Sequence, residues 1–370
     1  MGEDRRLASL DALRGFDMMF IIGVSSLIVA ICSLFPGGED CFLATQMTHV
    51  QWDGWHHHDT IFPLFLFIAG ISFPFSYAKQ CAKGAGRRAI YAKIVRRGLI
   101  LVALGIVCNG FFKFNFDTLR FYSVLGRIGL AWMFAALLFI NFKPRVRAII
   151  AAALLLGYWG LCHIPAPDVP GADPLSQDGC LVGYIDRCLL GGHLYNGNFD
   201  PEGLLSTLPA IVTAMLGMFT GEFVRKDSFR GKPLGGGRKT LYMVAAGVAF
   251  LALGYLWSIV FPINKKLWSS SFTLVLAGFS LLSFALFYWI IDVKGWRKWS
   301  FPFRVIGMNS ITIFIAPRII NFSYARDFFL KGTMDLCSEP VSRVVGLVGF
   351  ILLEWLFLYF LYRRKIFLKI

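Results

Sequence analysis

Residues 48–76 read T-H-V-Q-W-D-G-W-H-H-H-D-T-I-F-P-L-F-L-F-I-A-G-I-S-F-P-F-S, and this stretch indicates what kind of protein the chain is. Its first twelve residues hold four of the six histidines of the chain, and an uncharged apolar run follows at once. Ionisable groups become costly as they approach hydrocarbon, so their concentration at a membrane boundary marks a candidate functional site. The alternative is a hydrated loop whose Trp52 and Trp55 lie at the level of the lipid headgroups. The ionisable residues of the stretch are His49, Asp53, His56, His57, His58 and Asp59.

The composition of the whole chain agrees with a membrane protein. Of its 370 residues, 56% are hydrophobic and 16% are charged. Apolar runs of about 20 residues recur, and such runs match a hydrocarbon layer about 30 Å thick. We therefore predict an all-α polytopic membrane protein with about ten transmembrane helices, the first of which is retained because no segment resembles a signal peptide. The predicted spans are 15–36, 60–78, 97–112, 121–141, 146–163, 203–224, 240–261, 268–292, 302–320 and 342–362.

The formal net charge of +15 is distributed among alternate loops. This is the positive-inside pattern of membrane insertion, so it does not indicate a nucleic-acid partner. Both termini are expected in the cytoplasm, and the histidine-rich stretch on the opposite side. The basic residues assigned inside are Arg5, Arg6 and Arg14, which flank the first span; Lys79, Lys83, Arg87, Arg88, Lys93, Arg96 and Arg97; Lys143, Arg145 and Arg147; Arg225, Lys226, Arg230, Lys232, Arg238 and Lys239; Lys294, Arg297 and Lys298; Arg363, Arg364, Lys365 and Lys369. The acidic residues assigned outside are Glu39, Asp40, Asp53 and Asp59; Asp168, Asp173, Asp178, Asp186, Asp200 and Glu202.

One of the predicted loops is longer than all the others. Residues 164–202 are rich in Pro, Gly and Asp, and a loop of this length is typical of a lid or binding segment. We expect a single transmembrane domain, 1–370, with this loop covering an acceptor site. No internal repeat and no interrupted helix is apparent.

The eight cysteines are scattered along the chain. Three lie in or near apolar runs and are interpreted as packing residues. Four fall in loops assigned outside, where disulfides can form. No pair has the spacing of metal ligands, so no metal is expected. The first group is Cys32, Cys108 and Cys162, and the second is Cys41, Cys180, Cys188 and Cys337.

Several polar residues lie inside the predicted spans. Arg127 must face the protein interior, paired with a carboxylate, a carbonyl or a phosphate, as a structural ion pair or as a ligand-binding group. Asn309 and Ser310 can be hydrogen-bonding contacts between helices. Glu354 is expected to pair with a neighbouring helix.

Two external segments have the composition of binding sites. Lys265 and Lys266 place positive charge on the side that the loop pattern makes acidic, which favours anion binding, with interfacial snorkelling as the alternative. Residues 183–203 are dense in hydroxyl, amide and acid groups, as a sugar-binding wall is, although an ordinary polar loop has the same composition.

His49 is the strongest catalytic candidate in the chain. Imidazole titrates near neutral pH, so it can remove a proton from an attacking amine or hydroxyl, or carry an acyl group itself. Asp59 can orient it. The His56–His57–His58 triplet suggests a metal, but three consecutive side chains rarely converge on one ion.

The ordered motifs of the chain resemble the heparan-α-glucosaminide N-acetyltransferase family. The motifs are S-L-D-A-L-R-G-F from residue 9, H-V-Q-W-D-G from residue 49 with D-T-I-F-P-L-F-L-F-I-A-G from residue 59, V-L-G-R-I-G-L-A-W, G-Y-I-D-R-C-L-L-G with H-L-Y and D-P-E-G, P-I-N-K-K-L-W-S-S-S-F, and G-M-N-S-I. They extend to about residue 315. The resemblance is to the shorter bacterial branch, which lacks the luminal domain of lysosomal members.

The resemblance implies a transmembrane acetyltransferase that uses cytosolic acetyl-CoA to acetylate an amino sugar on the other side. By position, His49 takes the catalytic role and Asp59 that of the acid beside it. The residues expected at acetyl-CoA are Arg127, Asn264, Lys265 and Asn309, and those expected at the acceptor are Trp52, Asp200 and Glu202. The family has an Asn where this chain has Ser25, which weakens the assignment of an Asn partner to His49.

We therefore expect a multi-pass protein of the bacterial inner membrane whose partners are the lipid bilayer, acetyl-CoA and an amino sugar or glycan terminus, with a homodimer left open. The alternatives are an O-acetyltransferase of a surface polysaccharide, a sugar transporter without chemistry, and a structural membrane protein.

Overall fold

The computed structural model describes residues 7–195, 197–229 and 231–368. These residues form an all-α protein with one short hairpin of two antiparallel strands, each two residues long. Arg5, Arg6, Arg230 and Lys369 lie outside the described residues. The elements are α1 Ala8–Met19, α2 Ser25–Cys32, α3 Phe42–Gln46, α4 His57–Ala82, α5 Arg87–Cys108, α6 Val124–Asn141, α7 Pro144–Cys162, α8 Leu181–Leu190, α9 Thr207–Val224, β1 Ser228–Phe229, β2 Lys232–Pro233, α10 Gly236–Trp257, α11 Ser270–Phe287, α12 Phe301–Met308, α13 Ser310–Ile319, α14 Phe322–Asp335 and α15 Glu339–Arg363.

The prediction of a polytopic helical membrane protein is confirmed. Within the described ranges, eight helices are long and apolar enough to cross a membrane. They are Ala8–Cys32, His57–Ala82, Val124–Asn141, Pro144–Cys162, Thr207–Val224, Gly236–Trp257, Ser270–Val293 and Glu339–Arg363. They coincide with eight of the ten predicted spans, most of them beginning or ending several residues away. The third predicted span corresponds to α5, which is longer than expected and includes Lys93, Arg96 and Arg97.

The ninth predicted span, 302–320, is not one continuous helix. It is broken at Asn309, whose backbone leaves the helical region (φ −127°, ψ 31°) between α12 and α13. Two further irregularities are the π-helical segments Phe20–Val24, where Gly23 has a φ of 132°, and Tyr288–Val293. The expectation of uninterrupted helices was therefore wrong, because a polar side chain and a glycine allow breaks that a hydropathy pattern does not register.

α14 is a second difference from the sequence prediction, which left residues 321–341 as a loop. The helix packs against α15, and two α15 glycines make room for α14 side chains. A Cβ at Gly349 would lie 2.1 Å from Leu330, and one at Gly346 would lie 3.1 Å from Met334. Contacts with small residues are typical of membrane helix pairs.

The chain forms two compact units. The first contains the described residues up to Val50, the segment Trp55–Ile61 and the described residues from Ser283 onward. Its centre is the crossing of α1 and α12. A Cβ at Gly15 would lie 1.7 Å from the Phe303 carbonyl oxygen, and one at Gly307 would lie 1.9 Å from the Asp11 carbonyl oxygen. The L-R-G and G-M-N motifs therefore supply the glycines of one close helix contact.

The second unit contains Gln51–Gly54 and Phe62–Leu282. Here α6 packs between α5 and α9, and α9 also packs against α4 through Gly70 and Gly217. The described part of the long segment 164–202 belongs to this unit and contains α8 and the Arg187–Asp168 ion pair, with an N–O distance of 2.8 Å.

Candidate active site

Asp59 is held at the first turn of α4 by backbone donors. Its Oδ2 accepts hydrogen bonds from the His56 N–H (3.0 Å) and the Val50 N–H (3.3 Å). The first of these is one half of a capping box, in which an acidic residue three positions into the helix binds the N–H of the cap. The positive end of the helix dipole also favours a carboxylate here. Asp59 is buried, with 2% of its side chain exposed.

The remaining carboxylate oxygen binds His49. Asp59 Oδ1 lies 2.6 Å from His49 Nδ1. An ionised carboxylate can only accept, so Nδ1 carries a proton, and in the neutral tautomer Nε2 has the lone pair. The His49 side chain is 54% exposed, in contrast to its partner. The pair therefore presents a fixed imidazole to a reactant.

His58 provides a second imidazole beside the first. The centroids of the two rings are 4.5 Å apart at an interplanar angle of 61°. The Ser25 hydroxyl lies 3.0 Å from His58 Nδ1. Ser25, at the position where the resemblance led us to look for a partner of His49, thus contacts the neighbouring histidine.

The other two histidines of the triplet point to different partners. His56 Nδ1 donates to the Thr48 carbonyl oxygen at 3.1 Å, and the His57 ring packs edge-on against Phe20 with centroids 4.5 Å apart. Within the described residues, no group of three or more His, Cys, Asp or Glu side chains is arranged to hold a metal ion.

Asn309 lies elsewhere in the first unit. Its Nδ2 donates to the carbonyl oxygen of Ile366 at 3.1 Å, which ties the break between α12 and α13 to the C-terminal tail. Asn309 is buried and comes shortly after Gly307, the glycine at the close contact between α1 and α12. Contact with acetyl-CoA remains a prediction for this residue.

A second polar cluster lies in the second unit. Arg120 binds Asp200 through two nitrogens, at 2.7 and 2.6 Å, and also binds Glu202. Asp200 additionally accepts from the N–H groups of Tyr195 (3.1 Å) and Glu202 (2.9 Å). These four donors occupy the acceptor capacity of the Asp200 carboxylate. Glu202 keeps part of its side chain (12%) exposed.

Arg127 is buried next to this cluster and pairs with a carbonyl. Its NH2 donates to the Gly203 carbonyl oxygen at 3.1 Å and to the Ser206 hydroxyl, and its guanidinium lies 5.2 Å from the centroid of the Trp268 ring. Its Nε and NH1 have no hydrogen-bond partner in the described part of the chain. A buried guanidinium with open donors is a candidate binding group for an anion or a carbonyl.

Asn264 and Lys265 belong to the tight loop that carries Trp268. Asn264 Oδ1 accepts from the Leu267 N–H at 2.9 Å, while its Nδ2 is buried without a partner among the described residues. Trp268 has a φ of 52°, a left-handed conformation that is costly for a bulky residue. Its burial and its Nε1 hydrogen bond to Thr213 (3.2 Å) hold it there.

Trp52 packs on the same unit. Its Nε1 donates to the Leu175 carbonyl oxygen at 2.8 Å, its ring meets Phe199 edge-on, and Lys266 Nζ lies 5.8 Å from its centroid. The indole is therefore fixed against the 164–202 segment.

Asp186 is a buried acid of the polar segment 183–203. Its Oδ1 accepts from the Leu204 N–H at 3.0 Å, and a Cβ at Gly203 would lie 1.7 Å from its Oδ2. Burial raises the pKa of Asp186 to about 6. The glycine of D-P-E-G is thus required by close approach of this carboxyl.

The sequence of the chain matches the profile of a known protein family. The profile described as "Heparan-alpha-glucosaminide N-acetyltransferase, catalytic" matches residues 6–256, which is more than half of the chain. The chain belongs to this family. The matched range includes His49, Asp59, Arg127, Asp200 and Glu202.

Two curated members of the family are similar over nearly the whole chain. The human heparan-alpha-glucosaminide N-acetyltransferase is 28% identical over 425 residues, covering 99% of this chain and 60% of the human protein. The mouse protein is 27% identical over 427 residues, with the same coverage. The chain thus spans about 60% of the length of these relatives. The resemblance derived from the motifs is confirmed.

Arg120 and the Ser25–His58 contact are structural features that sequence reasoning missed. Arg120 stands outside the predicted spans, where a basic residue facing the D-P-E-G acids could have been suspected from charge alone. Ser25 and His58 are 33 residues apart, and no local pattern joins them. Glu354 also differs from expectation: it is buried, and in the part of the chain described here neither of its carboxylate oxygens has a hydrogen-bond partner.

Proposed function

We propose that the protein is a transmembrane acetyltransferase that moves the acetyl group of acetyl-CoA to the amino group of an amino sugar. The observation that carries the proposal is the His49–Asp59 pair, in which 2.6 Å separates Nδ1 from Oδ1 and the His49 side chain is 54% exposed. Membership of the N-acetyltransferase family supports the reaction class. A fixed neutral imidazole is the group that amine acetylation requires.

In the direct route, Nε2 of His49 takes a proton as the amine nitrogen attacks the thioester carbon. The C–N bond forms, the C–S bond breaks, and the sulfur leaves as a thiolate that takes the proton back. In the alternative route, Nε2 attacks the thioester carbon, the C–S bond breaks and coenzyme A leaves as the thiolate. The amine nitrogen then attacks the acetyl carbon, the bond from that carbon to Nε2 breaks, and the proton released by the amine goes to the thiolate. In both routes Asp59 stabilises the imidazolium charge through Nδ1–H.

We propose substrate contacts at residues with unused hydrogen-bond donors or exposed side-chain atoms. For acetyl-CoA we propose Arg127, Asn264, Lys265 and Asn309, and the support is that Arg127 and Asn264 are buried with unused donor atoms. For the acceptor we propose Trp52 and Glu202, because a planar indole and a carboxylate are groups that bind sugar rings and amines.

Asp200 is better suited to positioning than to direct acceptor contact. Its carboxylate already accepts four hydrogen bonds from the protein. We propose that it orients Arg120 and the backbone N–H groups of Tyr195 and Glu202, and so positions the Glu202 side chain.

The side of each substrate follows from the loop charges. We propose that acetyl-CoA enters from the cytoplasm, and that the acceptor is bound on the external side of a bacterial inner membrane. An anionic, bulky thioester cannot cross hydrocarbon, so such an enzyme must bring the acetyl group to a site that the acceptor reaches from outside.

The test is acetyl transfer by purified protein in proteoliposomes, with acetyl-CoA and glucosamine. His49→Ala should abolish product formation, whereas the control His56→Ala should retain it, since the His56 backbone N–H that binds Asp59 survives the substitution. Incubation without acceptor distinguishes the two routes, because only the carrier route leaves an acetylated protein. A His49→Ala protein with unchanged turnover would refute the proposal.

An O-acetyltransferase would use the same pair on a hydroxyl. Alkaline treatment of the product decides between the two, since esters are cleaved and amides survive.

A transporter is the second candidate function, and the break at Asn309 favours it, because interrupted helices line the substrate sites of many transporters. Sugar flux into proteoliposomes without acetyl transfer would establish it.

A further inference from the structure

Cys32 and Cys41 are brought together by a series of turns in the first unit. Cys32 ends α2, and Cys41 is the N-cap of α3. Between them the Phe35 N–H donates to the Cys32 carbonyl oxygen (3.1 Å), the Gly38 N–H to the Phe35 carbonyl oxygen (2.9 Å), and the Cys41 N–H to the Gly38 carbonyl oxygen (3.3 Å). A Cβ at Gly38 would lie 1.8 Å from the Cys32 carbonyl oxygen, so glycine is needed for this fold-back.

The two thiols lie close enough to influence each other. Both side chains are partly exposed, so a redox partner can reach them. The sulfur of Cys41 also accepts from the Ala44 N–H at 3.5 Å. This N–H, followed by the Cys32 thiol, lowers the pKa of the Cys41 thiol, which favours the nucleophilic thiolate.

We propose that Cys32 and Cys41 form a disulfide that fastens the loop leading to His49. The inference rests on the proposed topology, which places this loop on the external side, where disulfides persist. The co-reactant is an external thiol–disulfide oxidoreductase in its disulfide form. The Cys41 thiolate attacks that disulfide to give a mixed disulfide, and Cys32 then attacks the Cys41 sulfur. The oxidoreductase leaves as a dithiol, having received two electrons and the two thiol protons.

The position of this bond would matter for the candidate site. α3 follows Cys41 directly, and Gln46 at its end accepts the His57 N–H through Oε1 at 2.9 Å. The short stretch between Gln46 and His57 contains His49. A covalent link at Cys41 thus limits the movement of the segment from one side, while the first turn of α4 limits it from the other.

Two other cysteines, Cys81 and Cys188, provide internal comparisons for thiol pairing and reactivity. Cys188 and Cys81 interact with the hydroxyls of Tyr184 and Tyr77 rather than with another thiol. Cys188 is exposed and, in the proposed topology, also external, so it is a matched control for reactivity.

The experiment uses the full-length protein, purified from membranes whose free thiols were blocked with an alkylating reagent before lysis. Peptide mapping should show Cys188 alkylated, and should show Cys32 and Cys41 protected until a reductant is added, with a linked peptide lighter than the two free ones by two hydrogen atoms. Alkylation of both cysteines without reductant would overturn the proposal.

One variant, Cys32→Ser, separates this result from the topology and from the catalytic proposal. In Cys32→Ser, an impermeant maleimide should label Cys41 from outside intact cells; labelling from the cytoplasmic side alone would refute the topology and the disulfide together. Reductant should lower the melting temperature of the wild type by about 3–8 °C. It should not lower that of Cys32→Ser, and an equal shift in both would contradict the bond. Acetyl transfer by wild type and Cys32→Ser is a separate measurement, so failure of the catalytic proposal would leave the disulfide result unaffected.

Discussion

Replacing Asp59 by Asn tests the candidate site most directly, since it changes charge and keeps shape. The wild-type carboxylate accepts from His49 Nδ1 (2.6 Å), the Val50 N–H (3.3 Å) and the His56 N–H (3.0 Å). An amide offers one oxygen and an NH2 group, so it cannot accept from both sides at once. Either the imidazole loses its partner and its fixed tautomer, or the two backbone N–H groups lose theirs.

The first outcome lowers kcat, and the second lowers the free energy of unfolding. Loss of the oriented base should lower kcat by about 10²–10⁴-fold, which is about 3–5.5 kcal/mol of transition-state stabilisation. Two backbone donors left unsatisfied in this cap should lower the free energy of unfolding by about 2–6 kcal/mol, at about 1–3 kcal/mol for each group. His49→Ala should lose as much activity with a smaller loss of stability, because the His49 side chain is half exposed while Asp59 is buried.

The assay is transfer of labelled acetyl from acetyl-CoA to glucosamine under single-turnover and steady-state conditions, with kcat and KM reported separately. In a double variant, Asp59→Asn should add little to the activity loss of His49→Ala, since the acid acts through the imidazole. If Asp59→Asn kept kcat within about threefold of wild type, or if the two losses multiplied, the assigned roles would be refuted.

Three further predictions concern other contacts. Ser25→Ala removes the hydrogen bond to His58. If the transition state loses the free energy of one net hydrogen bond, kcat should fall by about 2–13-fold while KM stays unchanged. An unchanged kcat would show that this contact does not position the rings of His49 and His58. The pKa of Asp186 rises on folding from 3.8 to about 6, so the folded state holds this proton more tightly; up to about 3 kcal/mol of stability is present below pH 3.8 and lost as pH rises through 6. Denaturation of Asp186→Asn across pH 4 to 8 should lack this component, and an identical pH profile in wild type and variant would contradict the assignment. Gly307→Ala places a methyl 1.9 Å from a backbone oxygen of α1 and should destabilise the first unit by about 1–3 kcal/mol, whereas Gly332→Ala, with nothing within 4 Å, should not; equal melting temperatures would contradict the crossing.

The sequence by itself determined the class of protein and the centre of its candidate site. Apolar runs of membrane-crossing length fixed the helical architecture, because hydrocarbon offers no partner for backbone groups and only internally bonded segments persist there. The spacing of His49 and Asp59 around the start of α4 was also legible, since an acid in the first turn of a helix binds the residues just before it.

Only the tertiary structure decided which distant residues meet. The Arg120 pairs with Asp200 and Glu202, the Ser25 contact to His58 and the helix break at Asn309 each depend on packing between segments far apart in the chain. Hydropathy measures the average cost of placing a segment in lipid, and it carries no information about which buried donor faces which buried acceptor. That pairing is set by where small residues such as Gly307 let backbones approach, and it becomes visible only when the helices are assembled.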